Sequence, residues 1–368
     1  MRILHINCNY LGTTLHQCMI EHLDKLGIDN TVYVPTYDKS NAVIKPNTNV
    51  CVSQCFNKWD RVCFDYKQNK IIKDIQSKID VSRYDCIHAY TLFTDGNCAR
   101  ILSKKYNIPY VVAVRNTDVN AFFKYMLHLR QRGNKILQDA SRVFFLSESY
   151  KNQVLIHYVK KELQEKVLNK TDVIPNGLDD FWFNNRFFKR QSRNIDNNMI
   201  KLIYAGRIDK NKNITTTQKA VDLLRSEGYE ATLTVIGRID DKNVYKQIKK
   251  HEFTRTLPVM SKEELLKQYR QHDIFIMPSI TESFGLVYVE ALSQGLPIIY
   301  TKGQGFDRQI KDSFIGYDVE AKNPLEIKEK IISIIKHGCC TNNVDLSKYR
   351  WDYITKDYVK IYEAAICY

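Results

Sequence analysis

The amino-acid sequence predicts an α/β protein with two parallel-sheet domains. The chain has 368 residues, which is enough for two domains of ordinary size. It opens with a strand pattern at residues 2–6, an amphipathic helical pattern that Gly27 closes, and a second strand pattern at residues 31–35. A βαβ unit of this kind implies a parallel sheet. A second series of strand, glycine turn and helix begins at Lys201, so we expect a second sheet there.

The composition narrows the class of ligand. The formal net charge is +14, and the excess of basic residues is spread over both halves of the chain. Such a charge suits anionic small ligands and an anionic membrane surface. The sequence contains no helix-turn-helix, zinc-finger or RNP motif, so we expect no nucleic-acid partner.

The sequence also predicts a cytoplasmic location, with contact to the inner face of the cell membrane left open. The first strand pattern begins at Arg2, so no signal peptide is expected. No apolar run approaches the ~18 residues of a membrane span. The ten cysteines show no CxxC spacing, and His5, His16 and His22 do not complete a metal pattern with them. We therefore expect reduced thiols and no metal.

In the first half of the chain, polar residues follow predicted strands where ligands would bind. The loop at 7–14 contains a single glycine, Gly12. The strand pattern at 108–114 leads directly into the polar residues 115–118. Ligands of open parallel sheets bind at the carboxyl ends of the strands. Asp118 can therefore take a proton from a bound acceptor, orient that acceptor, or cap the following helix.

Residues 122–137 mix aromatic and basic side chains in a stretch that we predict to be helical. Two interpretations remain open: the stretch lies in a membrane interface, or its Phe, Leu and Met side chains pack in the core. A strand at 141–147 and a long Lys-rich helix follow. Residues 172–179 end the first domain, and residues 181–199 form a linker.

The second domain opens with a strand that leads into Gly206 and a basic loop. Arg207 and Lys212 lie at the carboxyl end of this strand. Two fixed cations there can hold a pyrophosphate, Arg as a fork of donors and Lys as a point charge. Lys210 lies between them in sequence, and we assign it to the solvated face of the loop.

The most informative stretch joins the apolar strand patterns at 274–277 and 298–300. Between them lie a loop and a helical pattern, which Thr281 or Ser283 can cap and Gly295 can end. The unpaired N–H groups of the first helical turn, together with the helix dipole, favour an anion.

Two glutamates accompany this anion site. Glu282 lies in the loop, and Glu290 lies about two turns into the helix. Gly285 allows backbone to approach a ligand closely. The arrangement suits a ligand with phosphate in its middle and hydroxyls at both ends, which describes a nucleotide-sugar.

The stretch at 278–297 resembles the Glu-x7-Glu signature of the retaining glycosyltransferases of family 4, which have the GT-B fold. Residues 174–179 are similar to the Ile-Pro-Asn-Gly-Val-Asp segment of that family, with Leu178 in place of Val. The family also shows Gly-Arg followed by a Lys five residues later, which Arg207 and Lys212 match. Asn213 replaces the usual glycine after that lysine, and His88 matches the first position of a His-x-His pattern.

The resemblance implies two Rossmann-like domains that face each other across a cleft. Residues 1–180, with a C-terminal helix at 350–368 that crosses back, would form the acceptor-binding domain. Residues 181–349 would form the nucleotide-sugar domain. The site residues that it implies are, for catalysis, Asp118, Arg207, Lys212 and Glu282; for the donor, Gly12, Gly206, Met260, Ser283, Phe284, Gly285, Leu286 and Glu290; and for the acceptor, His88, Arg115 and Asn116.

The predicted activity is metal-independent transfer of a hexose or related sugar, with retention, from a nucleotide-diphosphate sugar. The donor nucleotide is expected to be UDP, no cofactor is expected, and the acceptor is expected to be a glycan, lipid-linked or part of a surface polysaccharide. One alternative is a catalytically weak relative that binds another transferase. A dehydrogenase would need Gly-x-Gly-x-x-Gly after the first strand, and the loop at 7–14 has only Gly12.

Overall fold

The structure is a computed structural model that divides into two compact units. The first comprises Met1–Gly177 and Tyr349–Tyr368, and the second comprises Leu178–Lys348. These bounds fall beside the predicted ones at 180 and 349. The structure describes residues 1–38, 49–187, 198–310, 313–339, 341 and 344–367.

The first unit contains a seven-stranded sheet in which every pairing is parallel. Its order is β3-β2-β1-β4-β5-β6-β7. Leu4 on the central strand pairs with Thr31 on one side and with Ile87 on the other. The strands are β1 Arg2–Ile6, β2 Asp29–Thr36, β3 Val50–Gln54, β4 Cys86–Ala89, β5 Tyr110–Ala113, β6 Arg142–Phe145 and β7 Thr171–Val173.

Helices cover both faces of this sheet, so its strands are apolar on both sides. One core contains side chains of α2 to α6, and the other contains side chains of α1 and of the C-terminal helix. The helices are α1 Leu15–Lys25, α2 Phe64–Lys78, α3 Thr94–Tyr106, α4 Arg130–Asp139, α5 Glu148–His157, α6 Lys161–Leu168 and the C-terminal helix Trp351–Ile366.

The C-terminal helix returns to the first unit, as predicted, and its packing explains a glycine in the 174–179 segment. A Cβ atom on Gly177 would lie 2.3 Å from the ring of Trp351, which begins the helix. Only glycine leaves room for this ring. Farther along the helix, Tyr358 and Tyr362 are buried against the sheet.

The second unit has a six-stranded parallel sheet in the order β10-β9-β8-β11-β12-β13. Its strands are β8 Met199–Ala205, β9 Glu230–Ile236, β10 Thr254–Leu257, β11 Ile274–Ile276, β12 Ile298–Thr301 and β13 Gly316–Val319. Its helices are α7 Asp180–Asn184, α8 Ile214–Ser226, α9 Lys242–Ile248, α10 Lys262–Gln271, α11 Leu286–Ser293 and α12 Pro324–His337. The prediction of an α/β fold with two parallel sheets is confirmed.

Two predicted helices are interrupted. The stretch at 122–137 contains the end of a π-helical turn (Asp118–Phe123), a non-helical Met126 and a 3-10 turn before α4 begins. The Lys-rich helix after β6 is two helices, α5 and α6. The Asn134 side chain bonds the backbone at this break: its amide donates to the Tyr158 carbonyl at 3.0 Å, and its oxygen accepts from the Lys160 N–H at 2.9 Å.

The predicted linker at 181–199 begins inside α7, and its residues 188–197 lie outside the described part of the chain. Within the described residues, no helix combines the length and the apolar character that crossing a membrane requires.

Candidate functional site

The loop between β11 and α11 carries the Glu-x7-Glu stretch. Gly285 has φ +81°, and a Cβ there would lie 2.5 Å from the ring of Tyr288. The left-handed conformation and the close ring both require glycine. The helix begins at Leu286 without a side-chain cap, so the predicted cap by Thr281 or Ser283 is wrong.

The Lys212 ammonium and the Glu282 carboxylate meet at the carboxyl edge of the second unit's sheet. Their Nζ and Oε2 atoms are 2.6 Å apart, and only 13% and 12% of these side chains are exposed. The two residues are 70 apart in sequence, but β8 and β11 are neighbours in the sheet, so the loops that follow them meet. One of the three ammonium donors is bonded to Glu282, which fixes the cation in place.

The backbone of Glu282 is held by the loop that follows β12. Its N–H donates to Gln304 Oε1 at 2.9 Å, and its carbonyl accepts from Gly305 N–H at 2.7 Å. A Cβ on Gly305 would lie 1.9 Å from the Ser283 carbonyl oxygen. The two loops are therefore packed backbone against backbone, and they orient Glu282 rigidly.

Asparagines of the basic loop complete the support. Asn211 bonds Thr281 three times, with its amide to the carbonyl and its oxygen to the backbone N–H and the hydroxyl. Asn213 has φ +56°, a left-handed conformation that asparagine tolerates better than most residues. Its side chain donates to the Pro278 carbonyl at 2.9 Å. The replacement of the family's glycine by Asn213 thus keeps the glycine-like backbone and adds a bond.

Arg207 lies beside this pair but is held loosely. More than half of its side chain is exposed, and its guanidinium lies 3.5 Å from the Asp209 carboxylate and 3.6 Å from that of Asp240. Behind it, Gly206 and Gly237 come together so closely that a Cβ on Gly237 would lie 1.8 Å from the Gly206 oxygen. Because the Arg207 side chain is exposed and only loosely paired, its guanidinium can turn toward an anion at the strand ends.

Glu290 lies on α11, half-buried, with its carboxylate 3.4 Å from the Tyr269 hydroxyl. Burial raises the pKa of Glu290 to about 7, although the Tyr269 hydroxyl and the nearby Lys262 favour its charged form. An ionised carboxyl group accepts hydrogen bonds better than a protonated one, so the acceptor strength of Glu290 changes with pH near neutrality.

The loop just before α10 carries Met260, one of the residues predicted to bind the donor. Met260 is half-buried there, next to Ser261, which forms a capping box with Glu264. Lys262 at the start of the helix pairs with Asp179. Phe284 is buried, while Ser283 and Leu286 are half-buried around the helix start.

In the first unit, Asp118 does not cap the helical turn that follows it, so that predicted role is wrong; the residue instead anchors neighbouring loops. Its carboxylate accepts the backbone N–H groups of Leu92, Phe93 and Arg115 at 2.8–3.1 Å, and 1% of the residue is exposed. Burial raises the pKa of Asp118 to about 6, although these bonds favour the charged form and lower the pKa. A direct part in catalysis stays a prediction, and the occupied carboxylate argues against it.

Asp95 is a second buried carboxylate, which the sequence did not single out. It accepts from the Cys8 N–H at 3.2 Å and from the Thr91 hydroxyl at 3.0 Å. Burial raises the pKa of Asp95 to about 7, with a smaller contribution from Asp118. Asp95 therefore ties the loop after β1 to the start of α3.

Among the predicted acceptor residues, Arg115 lies just after the carboxyl end of β5. It is half-buried, and its guanidinium bonds the Tyr90 carbonyl and the Asn176 side chain, both at 3.3 Å. Asn116 accepts from the Asn120 amide.

His88 instead lies inside the packing of the C-terminal helix. It is fully buried, its Nδ1 is 2.6 Å from the Tyr362 hydroxyl, and Tyr90 stacks on its ring. Burial lowers the pKa of His88, so the ring is neutral. Gly12 is exposed, and a Cβ there would meet nothing within 4 Å, so its surroundings do not demand glycine. Ligand contacts by both residues stay predictions.

Two family models match the chain and together span most of it. The model described as Glycosyltransferase Family 4 matches residues 17–180, and the model described as Glycosyl transferases group 1 matches residues 185–350. The chain belongs to glycosyltransferase family 4. The predicted family is thereby confirmed.

Curated relatives of this chain are distant. It is 27% identical over 256 residues to the D-inositol 3-phosphate glycosyltransferase of Pseudarthrobacter chlorophenolicus, covering 65% of this chain and 59% of that protein. An uncharacterized glycosyltransferase of Methanocaldococcus jannaschii is 24% identical over 96% of this chain and 94% of its own length. The alpha-monoglucosyldiacylglycerol synthase of Acholeplasma laidlawii is 26% identical over 80% of this chain and 77% of its own.

Solved structures share the fold. The sucrose-phosphate synthase of Thermosynechococcus elongatus superposes with a TM-score of 0.79 at 16% identity, covering 99% of this chain and 98% of that chain. An Anabaena protein in complex with UDP and glucose gives a TM-score of 0.72 at 16% identity, covering 99% and 100%. Both neighbours confirm the GT-B fold class.

Sequence reasoning missed several residues that build the candidate site. They are Asn211, Tyr269, Gln304 and Gly305, besides Asp95 in the first unit. For Gln304 and Gly305 a signal existed, because two glycines follow β12 at a carboxyl strand end, where ligand-binding loops lie. The described residues contain no cluster of three His, Cys, Asp or Glu side chains suited to a metal ion.

Proposed function

We propose that this glycosyltransferase transfers a hexose or related sugar, with retention, from UDP-sugar to a glycan or lipid-linked acceptor. The observation that carries the proposal is the Lys212–Glu282 pair, held rigidly at the strand ends beside the start of α11. A cation and a helix N-terminus together form a site for a diphosphate. Glu282 beside them would accept hydrogen bonds from the sugar hydroxyls, and Glu290 from the ribose.

The proposed chemistry needs no metal, because protein groups would meet the charge that develops on the leaving diphosphate. Lys212 has two donors left for phosphate oxygens, Arg207 can turn toward them, and the N–H groups at Gly285 and Leu286 complete the set. Preorganised donors of this kind each contribute about 3 kcal/mol to transition-state stabilisation. Glu282 is held by Lys212, so we propose front-face attack by the acceptor rather than a covalent sugar–enzyme intermediate.

The acceptor side of the proposal rests on Arg115 and on the relatives. Arg115 is a half-buried cation at the carboxyl edge of the first unit's sheet, a place suited to an anionic group on the acceptor. One relative is named for a glucosyldiacylglycerol product and another for capsular polysaccharide biosynthesis. We therefore propose an acceptor on the way to a surface glycan or glycolipid.

The test is a thermal-shift screen of the wild type with UDP, GDP, ADP and their common sugars. UDP and UDP-sugars are expected to raise the melting temperature. Lys212→Ala should abolish this shift, whereas Lys210→Ala, which removes an exposed lysine two residues away, should keep it. Stabilisation by GDP or ADP alone would contradict the choice of UDP, and the absence of any shift would contradict the donor site.

A further inference from the structure

Two segments of the first unit, at residues 59–66 and 125–127, expose large apolar side chains to water. The three most exposed large hydrophobic side chains in the described part of the chain are Val62 at 86%, Trp59 at 84% and Tyr125 at 71%. Leu127, Tyr66 and Met126 in the same segments are also exposed. These six residues are called the apolar corner below. Exposed apolar groups gathered in this way indicate a contact surface.

The two segments adjoin each other in space. The rings of Phe64 and Phe122 meet edge to face with centroids 6.2 Å apart. The Arg132 guanidinium lies 5.2 Å from the centre of the Phe64 ring and pairs with Asp65. These contacts bring the turn before α2 and its first residues beside the turns before α4, and the apolar corner is drawn from these two adjoining segments.

The break at Met126 points half of the second segment outward. Phe123 and Leu129 on either side of the break are buried in the core, as the packing interpretation expected. Met126 itself has φ −100° and ψ 69°, outside the helical range, and residues 125–127 turn to solvent. The packing interpretation of the 122–137 stretch thus holds for Phe123 and Leu129, and the membrane interpretation stays a prediction for the exposed residues 125–127.

The corner is also strongly basic. Residues 58–73 and 122–137 contain nine basic and two acidic residues, a net +7 out of +14 for the whole chain. Both acidic side chains are already paired, Asp60 with Lys70 at 2.8 Å and Asp65 with Arg132. The partner of this surface must therefore be anionic and must also accept apolar side chains.

We propose that the apolar corner docks on an anionic lipid bilayer. Trp and Tyr favour the interface between headgroups and acyl chains, and basic side chains around them are attracted to anionic lipids. A second copy of the chain would bring two surfaces of +7 together, which repel each other. The evidence for this surface does not depend on the donor site. Only the use of the surface, to reach a lipid-linked acceptor, rests on the proposed function.

The test is sedimentation of the full chain with vesicles of phosphatidylglycerol and phosphatidylcholine, and with phosphatidylcholine alone. The wild type should bind the anionic vesicles, and W59S/V62S/Y125S/L127S should bind them at least about tenfold more weakly. The matched control I156S/L168S/V259S/Y353S removes four exposed apolar side chains elsewhere and should bind like the wild type. K58Q/R61Q/K124Q should lose most of the salt-sensitive part of the binding.

Three outcomes would overturn the proposal. The wild type does not sediment with anionic vesicles at low salt, the control loses as much binding as the corner variant, or light scattering shows a dimer that only the corner variant breaks. Circular dichroism checks that each variant is folded. The UDP-induced thermal shift, measured on the same variants, should be unchanged, so failure of the lipid proposal and failure of the donor site are told apart.

Discussion

The carboxyl edges of the two sheets hold their charged groups in different ways. In the first unit, Asp95 and Asp118 are buried, and their oxygens accept N–H and hydroxyl groups of neighbouring loops. In the second unit, Lys212 and Glu282 pair with each other, and surrounding backbone and amide groups fix the loops that carry them. The first pair of residues stabilises loops, while the second pair is stabilised by loops.

This difference indicates where the chemistry is carried. Asp118 accepts three backbone N–H groups, so protonation of its carboxylate would weaken the bonds that hold its loop. A charged pair that is supported from behind keeps donors and acceptors directed outward. The four predictions that follow test this contrast, beginning with the largest expected effect.

Replacing Lys212 should damage catalysis most. Lys212→Ala is expected to lower the rate at which the bond between sugar and UDP is cleaved by about 100- to 1000-fold, because a fixed cation at the leaving diphosphate is lost. Lys210→Ala is the matched control and should stay within about twofold of the wild type. The double variant K212M/E282L separates the structural role of this pair from its catalytic role. Compared with Lys212→Ala, it should regain stability but not activity. Recovery of activity would show that the pair is only structural.

Adding one methyl group behind Glu282 should disturb the site next most. Gly305→Ala places a Cβ 1.9 Å from the Ser283 oxygen, so the loop must move and UDP affinity should fall by at least about tenfold. The same change at Gly12, where a Cβ would meet nothing within 4 Å, should leave UDP affinity unchanged. Isothermal calorimetry with UDP measures both. A large loss of affinity in Gly12→Ala would instead support the predicted donor contact of Gly12.

Donor binding should depend on pH through Glu290. Because burial raises its pKa to about 7, the carboxyl group is mostly protonated at pH 6 and mostly ionised at pH 8. UDP affinity should therefore rise by about tenfold between these values, as the ionised acceptor becomes available. Glu290→Gln should remove the part of the dependence that this group causes. A profile identical in both proteins would exclude Glu290 as the titrating group.

The smallest effect on catalysis is expected at Asp118. Asp118→Asn keeps the shape but removes charge-assisted bonds to three N–H groups, so the free energy of unfolding should fall by about 1–3 kcal/mol. The transfer rate per folded molecule should change by no more than a few-fold. Denaturant titration and steady-state kinetics measure the two quantities. A rate loss of 100-fold with normal stability would return Asp118 to the catalytic residues and erase the contrast.

Much of the fold could be predicted from local patterns. Alternating and continuous apolar runs indicated β1, β2, β5, β6 and β11, and the βαβ order indicated a parallel sheet. The short, partly exposed strands β3 and β7 lay in stretches with no strong pattern. The break between α5 and α6 was not predicted, and the side chain that bonds the backbone there, Asn134, lies on another helix.

The sequence by itself determined which residue types stand at the ends of which strands, because strand and helix periods and glycine turns are local properties. Only the tertiary structure decided which of them meet. Lys212 and Glu282 form a pair because β8 and β11 are neighbours in a sheet whose order differs from the order along the chain. Asp118 became a loop anchor because the fold brings the backbone N–H groups of Leu92 and Phe93 within hydrogen-bond distance of its carboxylate. Contact between distant loops depends on strand order and burial, which no local pattern contains.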